Sequence, residues 1–382
     1  MSRDLDRTSV VMGVPIDDVT IDEAVDRIAA MVEVGRSTGR VHQVVTVNVD
    51  FVVNAHRDGV VLDILQQSDL SIADGMPLVW ASRVIGSPVR ERTTGVDLVP
   101  AIVERAAADG LRVVFFGGAP TVAARAADIL RTRAPEAQIT TIDAPLVGAD
   151  GSMEDGVATE LVQAIRDARP DVVCVALGNP KQERWIRRFG ATVGAPVLIG
   201  IGGSLDFITG STRRAPPWMQ RAGLEWMHRA VSEPRRLIRR YARDIRVFLP
   251  GVAAQAWRGR RREAAVVPSL ERAAGGSAVL RVLGPVPRAR PGAALTAALS
   301  AGDGLTFDVS NVDRFDNVTV SALVGMARQL RRVGGDVTVV GAPDAGDPAD
   351  IARTGAVLAA MTTDDRVGGR RDRVPLHGKS RE

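Results

Sequence analysis

The sequence predicts an α/β fold with a largely parallel sheet, and three observations carry that reading. Across residues 10–212 short apolar runs alternate with amphipathic stretches, the pattern of strand–helix units wound around a parallel sheet. Between Arg213 and Arg246 ten arginines stand against three acids, Glu225, Glu233 and Asp244. From about residue 276 a fresh strand–helix–strand alternation begins, behind a stretch rich in Ala and Gly. The expected architecture is a Rossmann-like sheet with helices on both faces, a helical Arg-rich segment and a small α/β domain at the C-terminal end.

In chain order, residues 41–49 read as a strand. Residues 50–67 read as one helix, with Val52, Val53, Val60, Ile64 and Leu65 at helical spacing. A strand over 112–116 runs into Gly117-Gly118-Ala119-Pro120 and then a helix over 121–133. A strand over 171–177, a helix over 180–189 and a strand over 196–201 complete the core. In 213–250, Pro234 falls in a first helical turn, where its missing N–H costs nothing. Leu237, Tyr241, Ile245 and Phe248 share one face of that helix, and Arg235, Arg236, Arg239, Arg240, Arg243 and Arg246 fill much of the rest. Residues 251–275 read as a linker, basic at 258–262. Beyond it come strands over 278–283 and 305–309, a helix over 318–333 and a strand over 336–340. The resulting boundaries are 1–212 for the core, 213–250 for the basic segment, 251–275 for the linker, 276–365 for the small domain and 366–382 for a charged, disordered tail.

Composition narrows the class. Hydrophobic residues make up 45% of the 382 and charged residues 25%, so packed cores are expected. Cys174 is the one cysteine and lies in the apolar run 171–177. With no disulfide partner it suits a reducing compartment, and a buried strand cysteine is favoured over a catalytic thiol. The first eleven residues lack the apolar stretch of a secretion signal. No apolar run approaches the ~18–20 residues needed to span a bilayer. A cytoplasmic protein, free or resting on a membrane surface, is expected.

Four polar constellations stand out, three of them after predicted strands, and open α/β sheets bind ligands beyond the carboxyl ends of strands. They are Thr46-Val47-Asn48, Ala73-Asp74-Gly75-Met76-Pro77, Glu91-Arg92-Thr93-Thr94-Gly95 and Gly178-Asn179-Pro180-Lys181-Gln182-Glu183. Each has a structural alternative. Thr46 and Asn48 could cap the next helix. Asp74-Gly75 could be a plain turn, Arg92 a solvated charge, and 178–180 a helix entry. Gly117 and Gly118 could serve tight packing, although backbone N–H groups at a helix start suit a phosphate. They do not form a GxGxxG fingerprint, so a dinucleotide-dependent oxidoreductase is poorly supported.

The order of motifs resembles the WecG/TagA/CpsF glycosyltransferases over roughly residues 10–250. The carrying stretches are Thr-Val-Asn-Val-Asp (46–50), Ala-Asp-Gly-Met-Pro (73–77), Glu-Arg-Thr-Thr-Gly-Val-Asp-Leu (91–98), Phe-Phe-Gly-Gly-Ala-Pro (115–120), Gly-Asn-Pro-Lys-Gln-Glu-Arg-Trp-Ile (178–186), Gly-Gly-Ser-Leu-Asp-Phe (202–207), Arg-Arg-Ala-Pro-Pro-Trp (213–218), Leu-Glu-Trp-Met-His-Arg (224–229) and Glu-Pro-Arg-Arg (233–236). The resemblance implies inverting, metal-independent transfer of a sugar, N-acetylmannosamine or another hexose, from a UDP-sugar to a polyprenyl-diphosphate-linked sugar. No cofactor is implied, and the only Asp-x-Asp is Asp4-Leu5-Asp6, near the chain start.

Inverting transfer needs a base for the acceptor hydroxyl, and Asp74 stands at the family's base position. Without a metal the leaving diphosphate needs cations or hydrogen-bond donors, and Arg92 matches the family arginine near the substrate. Thr46, Asn48, Asn179 and Gln182 match polar pocket positions, and Gly117 and Gly118 could offer N–H groups. Asp206 also matches, but could equally be a structural carboxylate.

Residues 213–250 match the family's appendage, which is thought to meet the membrane and help complete the site. Arginines beside apolar and aromatic residues suit an anionic membrane surface. Arg214, Arg221 and Arg229 could instead reach a diphosphate. No nucleic-acid reader motif accompanies the charge, so nucleic acid is not expected.

Residues 276–365 resemble a STAS domain more loosely, through 305–316, the helix around 320–332 and 334–341. That resemblance implies protein docking or self-association. The serine phosphorylated in some such domains is replaced here by Asn317, and Thr319-Val320 stands for the usual small pair. A catalytically inactive membrane scaffold is the alternative function. Joint retention of Thr46, Asn48, Asp74, Arg92 and Gln182 argues against it.

Overall fold

The fold is given by a computed structural model, which describes residues 8–221, 223–232, 234–258, 269–272, 278–281, 305–308, 317–332 and 337–340. It opens with a hairpin absent from the sequence reading. Strands β1 (Thr8–Val11) and β2 (Val14–Asp17) pair antiparallel around Met12 and Gly13, both at positive φ (49° and 84°). Two such residues make the tight turn that suits the twist of a hairpin. Asp4-Leu5-Asp6 lies outside the described residues.

Helix α1 (Ile21–Thr38) follows, started by a reciprocal capping box between Thr20 and Glu23. Then come β3 (His42–Val47), α2 (Val49–Arg57), α3 (Gly59–Gln67), β4 (Leu70–Ala73), α4 (Met76–Val84) and α5 (Gly95–Asp109). The chain continues with β5 (Arg112–Gly117), α6 (Val122–Arg133), β6 (Gln138–Ile142), α7 (Asp155–Asp167), β7 (Val172–Ala176), α8 (Lys181–Val193), β8 (Val197–Gly200) and α9 (Ser204–Ile208). Six strands form one all-parallel sheet in the order β4-β3-β8-β7-β5-β6.

Period-2 alternation splits the strands between two cores. Val44, Ile72, Val113, Phe115, Cys174 and Ile199 face α1, α5 and α6. Val45, Val47, Ala73, Val114, Phe116, Val173 and Leu198 face the opposite side. Both faces are covered, which is why the strands read as continuous apolar runs. Burial pushes the Cys174 thiol up to about 12, so it is an inert core side chain.

The single helix expected over 50–67 is two. Asp58 ends the first, and its carboxylate accepts from the N–H groups of Val60 and Val61 to start the second. A side chain that caps its own backbone competes with helix continuation.

Residues 213–258 form α10 (Pro217–Arg221), α11 (Glu225–Ser232) and α12 (Pro234–Arg258). Helix α12 runs through Pro250 into the stretch read as linker. Val252, Gln255 and Ala256 are buried behind that proline, and their packing offsets the hydrogen bond it removes. Ile245 is 45% exposed rather than core-facing, and Asp244 takes the buried place beside it, bonded to Arg243. Leu237, Phe248, Val252 and Ala256 are buried as one stripe, with Tyr241 half-buried.

A separate four-stranded sheet has the order β12-β11-β10-β9, from β9 (Ser269–Arg272), β10 (Ala278–Arg281), β11 (Leu305–Asp308) and β12 (Val337–Val340). Helix α13 (Asn317–Arg332) lies between β11 and β12 in the chain and packs on β1. The tail expected over 366–382 lies outside the described residues.

Candidate active site

The C-terminal ends of the parallel strands bring the sequence motifs together. Thr46 and Asn48 lie at the end of β3, Asp74 directly after β4, Gly117 and Gly118 at the end of β5, and Asn179 and Gln182 after β7. Strand direction fixes this: parallel strands end on one edge, and the chain reverses its winding between β3 and β5.

Asp74 is anchored by its backbone, whose N–H donates to Val47 O at 2.7 Å. Gly75 follows at φ 145°, a conformation L side chains rarely adopt, and opens α4 with Met76-Pro77. The turn therefore leaves Asp74 outside the helix, at the strand end. Burial pushes its carboxyl up, Arg229 and Arg92 pull it down, and Glu225 and Asp97 push it up again, for a value of about 6. A carboxylate poised there is ionised at neutral pH and still basic enough to take a proton.

Three arginines, Arg92, Arg214 and Arg229, and two acids, Glu225 and Asp97, cluster beside Asp74. Arg92 Nη1 donates to Glu225 Oε2 at 2.5 Å. Arg214 grips Asp97 through both terminal nitrogens, at 2.6 and 2.7 Å, and reaches Glu225 Oε1 at 3.4 Å through Nε. The Asp97 carboxyl, itself pushed up by burial, is drawn below its ordinary value by Arg214 and Thr94. Arg229 lies over the Phe207 ring at 5.2 Å, and its Nε makes no hydrogen bond. Gly223, at φ 74°, lets residues 223–229 come down on α4, for a Cβ there would sit 2.7 Å from Met76 Cγ. Helix α11 thereby brings Glu225 and Arg229 to the strand ends, and Arg214 comes from the loop before α10. The side chain of Arg221 lies outside the described residues.

The polar residues have structural bonds in this state. Thr46 Oγ1 donates to Gly200 O at 2.9 Å, tying β3 to β8. Asn48 caps α2 by accepting from Phe51 N–H at 3.3 Å. Gln182 Oε1 accepts from the N–H groups of Gly178 and Gly202, at 3.2 and 3.0 Å, so it holds two site loops together. Asn179 accepts from Asn54 Nδ2 at 2.6 Å and donates to Glu183 Oε2 at 3.1 Å. Gly118 N–H is bonded to Ala176 O at 2.9 Å, so its contribution is close backbone approach, not a free donor. Asp206 is half-buried, next to the loop of Gly202 and Gly203.

Sequence reading left Asp97 and Glu225 without a role, though both lie inside quoted motifs. Thr94, three residues before Asp97, was the available signal: it caps α5 and bonds Asp97 Oδ2 at 2.7 Å. Glu183, quoted in the fourth constellation, was also left without a role. Burial pushes its carboxyl up to about 7, and no charged neighbour opposes that shift.

The sequence model of the Glycosyl transferase WecG/TagA/CpsF family matches residues 9–262. A Bacillus spizizenii protein named N-acetylglucosaminyldiphosphoundecaprenol N-acetyl-beta-D-mannosaminyltransferase is 33% identical over 173 residues, 45% of this chain and 64% of the relative. The chain thus spans just under two thirds of that protein. A Bacillus subtilis (strain 168) protein of the same name is 31% identical over 50% of this chain and 71% of the relative. One from Staphylococcus aureus (strain MW2) is 27% identical over 64% of this chain and 91% of the relative.

Proposed function

The chain belongs to the WecG/TagA/CpsF glycosyltransferase family, and from that premise we propose that it transfers a hexose from a UDP-sugar to a polyprenyl-diphosphate-linked N-acetylglucosamine in cell-wall or exopolysaccharide synthesis. The donor sugar is read as N-acetylmannosamine, on the names of the relatives. The observation that carries the proposal is Asp74: a carboxylate at a strand end with a value of about 6, under the pull of Arg229 and Arg92, with Arg214 bound to the neighbouring Asp97 and Glu225.

In the proposed step Asp74 accepts the proton of the acceptor hydroxyl. That oxygen forms a bond to the anomeric carbon from the face opposite UDP. The anomeric C–O bond breaks, and its electron pair leaves with the β-phosphate of UDP, inverting the centre. The growing charge on the diphosphate is met by guanidinium groups that already lie in place. Arg92 and Arg214 are paired to Glu225 and Asp97 in this state, so an entering diphosphate competes with those carboxylates.

The lipid-linked acceptor places the reaction at a membrane surface, the inner face of the cytoplasmic membrane in this reading. Among the described residues no helix is long and apolar enough to cross one. Helix α12 exposes Ile238, Ile245 and Leu249 on one side, at helical spacing and flanked by exposed Arg239 and Arg246. Such a stripe suits shallow insertion among anionic headgroups. The STAS-like module is read as a docking element. Asn317 is buried and donates to Ile85 O at 3.3 Å, so its first helical turn is engaged within the chain.

UDP release from a panel of UDP-sugars, with and without a polyprenyl-diphosphate N-acetylglucosamine acceptor, tests the reading. Acceptor-dependent release by the native chain is expected, with a loss of about 100-fold or more in Asp74→Asn while UDP still binds. Full activity in that variant would remove Asp74 as the base. No release from any donor by a folded chain would favour the inactive scaffold.

A further inference from the structure

Strand β4 carries Asp74 at its end and lies at the edge of the six-stranded sheet, bonded to β3 on one side only. An edge strand presents unpaired backbone groups on its free side. Here the N–H of Ser71 donates to Asp17 Oδ2 at 2.8 Å, so the hairpin takes that side. Asp17 is held in turn by the C-terminal module. Arg328 Nη2 donates to Asp17 Oδ2 at 2.9 Å and to Ser71 Oγ at 3.1 Å. Arg332, one turn later, lies 2.9 Å from Asp17 Oδ1 and donates through Nε to Asp69 O at 2.7 Å. All three charged side chains are buried. Helix α13 therefore grips the edge strand at residues 69 and 71, and Asp74 follows three residues after Ser71.

Stability alone does not call for this arrangement, since apolar side chains of similar volume commonly replace buried ion pairs without loss. What a guanidinium adds is direction. Both bonds here come from one nitrogen, Nη2, whose two hydrogens lie at a fixed angle in the guanidinium plane. Seated on Asp17 and Ser71 together, it fixes the strand along its own axis.

We propose that Arg328 and Arg332 are positioning residues for the transfer reaction, acting through Asp17 and Ser71 to set the register of β4 and so the placement of the Asp74 carboxyl. The inference rests on the reading of Asp74 as the base. It makes the C-terminal module part of the enzyme's framework, with its helix spent on the core.

Two measurements on the full-length chain test this, for native protein, Arg328→Met and Arg328→Lys. The first is amide hydrogen exchange over residues 71–74, which needs no substrate. The second is kcat and donor KM. In Arg328→Met exchange over 71–74 is expected to quicken at least tenfold while β5 and β7 keep their protection. A misplaced base lowers kcat by about tenfold or more, with donor KM within about twofold of native. Arg328→Lys retains charge for Asp17 but loses the fixed planar geometry at Nη2, and falls between the two. It carries the test if the methionine variant does not fold. Unchanged exchange over 71–74 together with unchanged kcat, whatever happens to Tm, would overturn the proposal. If the native chain turns over no donor, the base reading fails, and exchange over 71–74 alone decides for or against the grip on β4.

Discussion

Asp17 and Asp74 are neighbours of the same edge strand, and their environments push them in opposite directions. Burial raises both carboxyls. At Asp17, Arg328, Arg332 and Arg27 overwhelm that effect and hold the group far below its ordinary value. At Asp74 burial dominates, the attraction of Arg229 and Arg92 is opposed by Glu225 and Asp97, and the value stays up at about 6. Burial sets a common penalty for charge, and the local balance of partners decides which carboxylate is fixed and which can accept a proton.

The sharpest break of this contrast is Asp17→Ala. It strips the carboxylate from buried arginines and should cost about 3–5 kcal/mol of unfolding free energy, read by chemical denaturation. A loss well under 1 kcal/mol would mean that solvent reaches the network. The pH dependence separates the two aspartates next. Asp17 is depressed, so its contribution to stability is complete above its unfolded value near 3.8 and is lost as pH falls below it. Asp74 is raised, so it costs stability above about pH 6 and that cost is relieved as pH falls from 6 towards 3.8. Asp74→Asn should therefore be more stable than native at pH 7, with the advantage vanishing near pH 4.

Activity sharpens the same comparison. As the general base, Asp74 should give kcat/KM an acid limb near pH 6, falling about tenfold per pH unit below it. Arg229→Ala removes the strongest attraction on that carboxyl and should move the limb upward; an unmoved limb would mean that another group titrates. The smallest effect is expected far from both aspartates. Arg239→Glu or Arg246→Glu should weaken binding to anionic lipid vesicles by about 1 kcal/mol or more each, read by sedimentation. Equal binding by the variants would remove α12 from the membrane contact.

The sheet was legible because strands buried on both faces must be apolar throughout, as 113–116 and 172–177 are. Among the candidate site residues, Thr46, Asp74 and Gln182 were legible as polar residues after predicted strands, and Arg92 through its motif. Residues whose roles depend on distant partners were not. Asp17 and Arg328 are 311 positions apart, and no local pattern links them. The same holds for Arg92 with Glu225, 133 apart. Asp58 hid a helix break because the apolar spacing of 50–67 continues across it, and the boundary drawn at 250 cut a helix that runs on to Arg258.

Periodicity alone determined the parallel sheet, its helical layers and the motifs at its ends, since these follow from which residues must leave water and at what spacing. Tertiary structure decided the charges: that Asp74 stays basic, that Arg214 and Arg229 come down beside it, and that α13 reaches back to the edge strand. A charge takes its character from whatever lies within a few ångströms, and in this fold those neighbours come from remote parts of the chain.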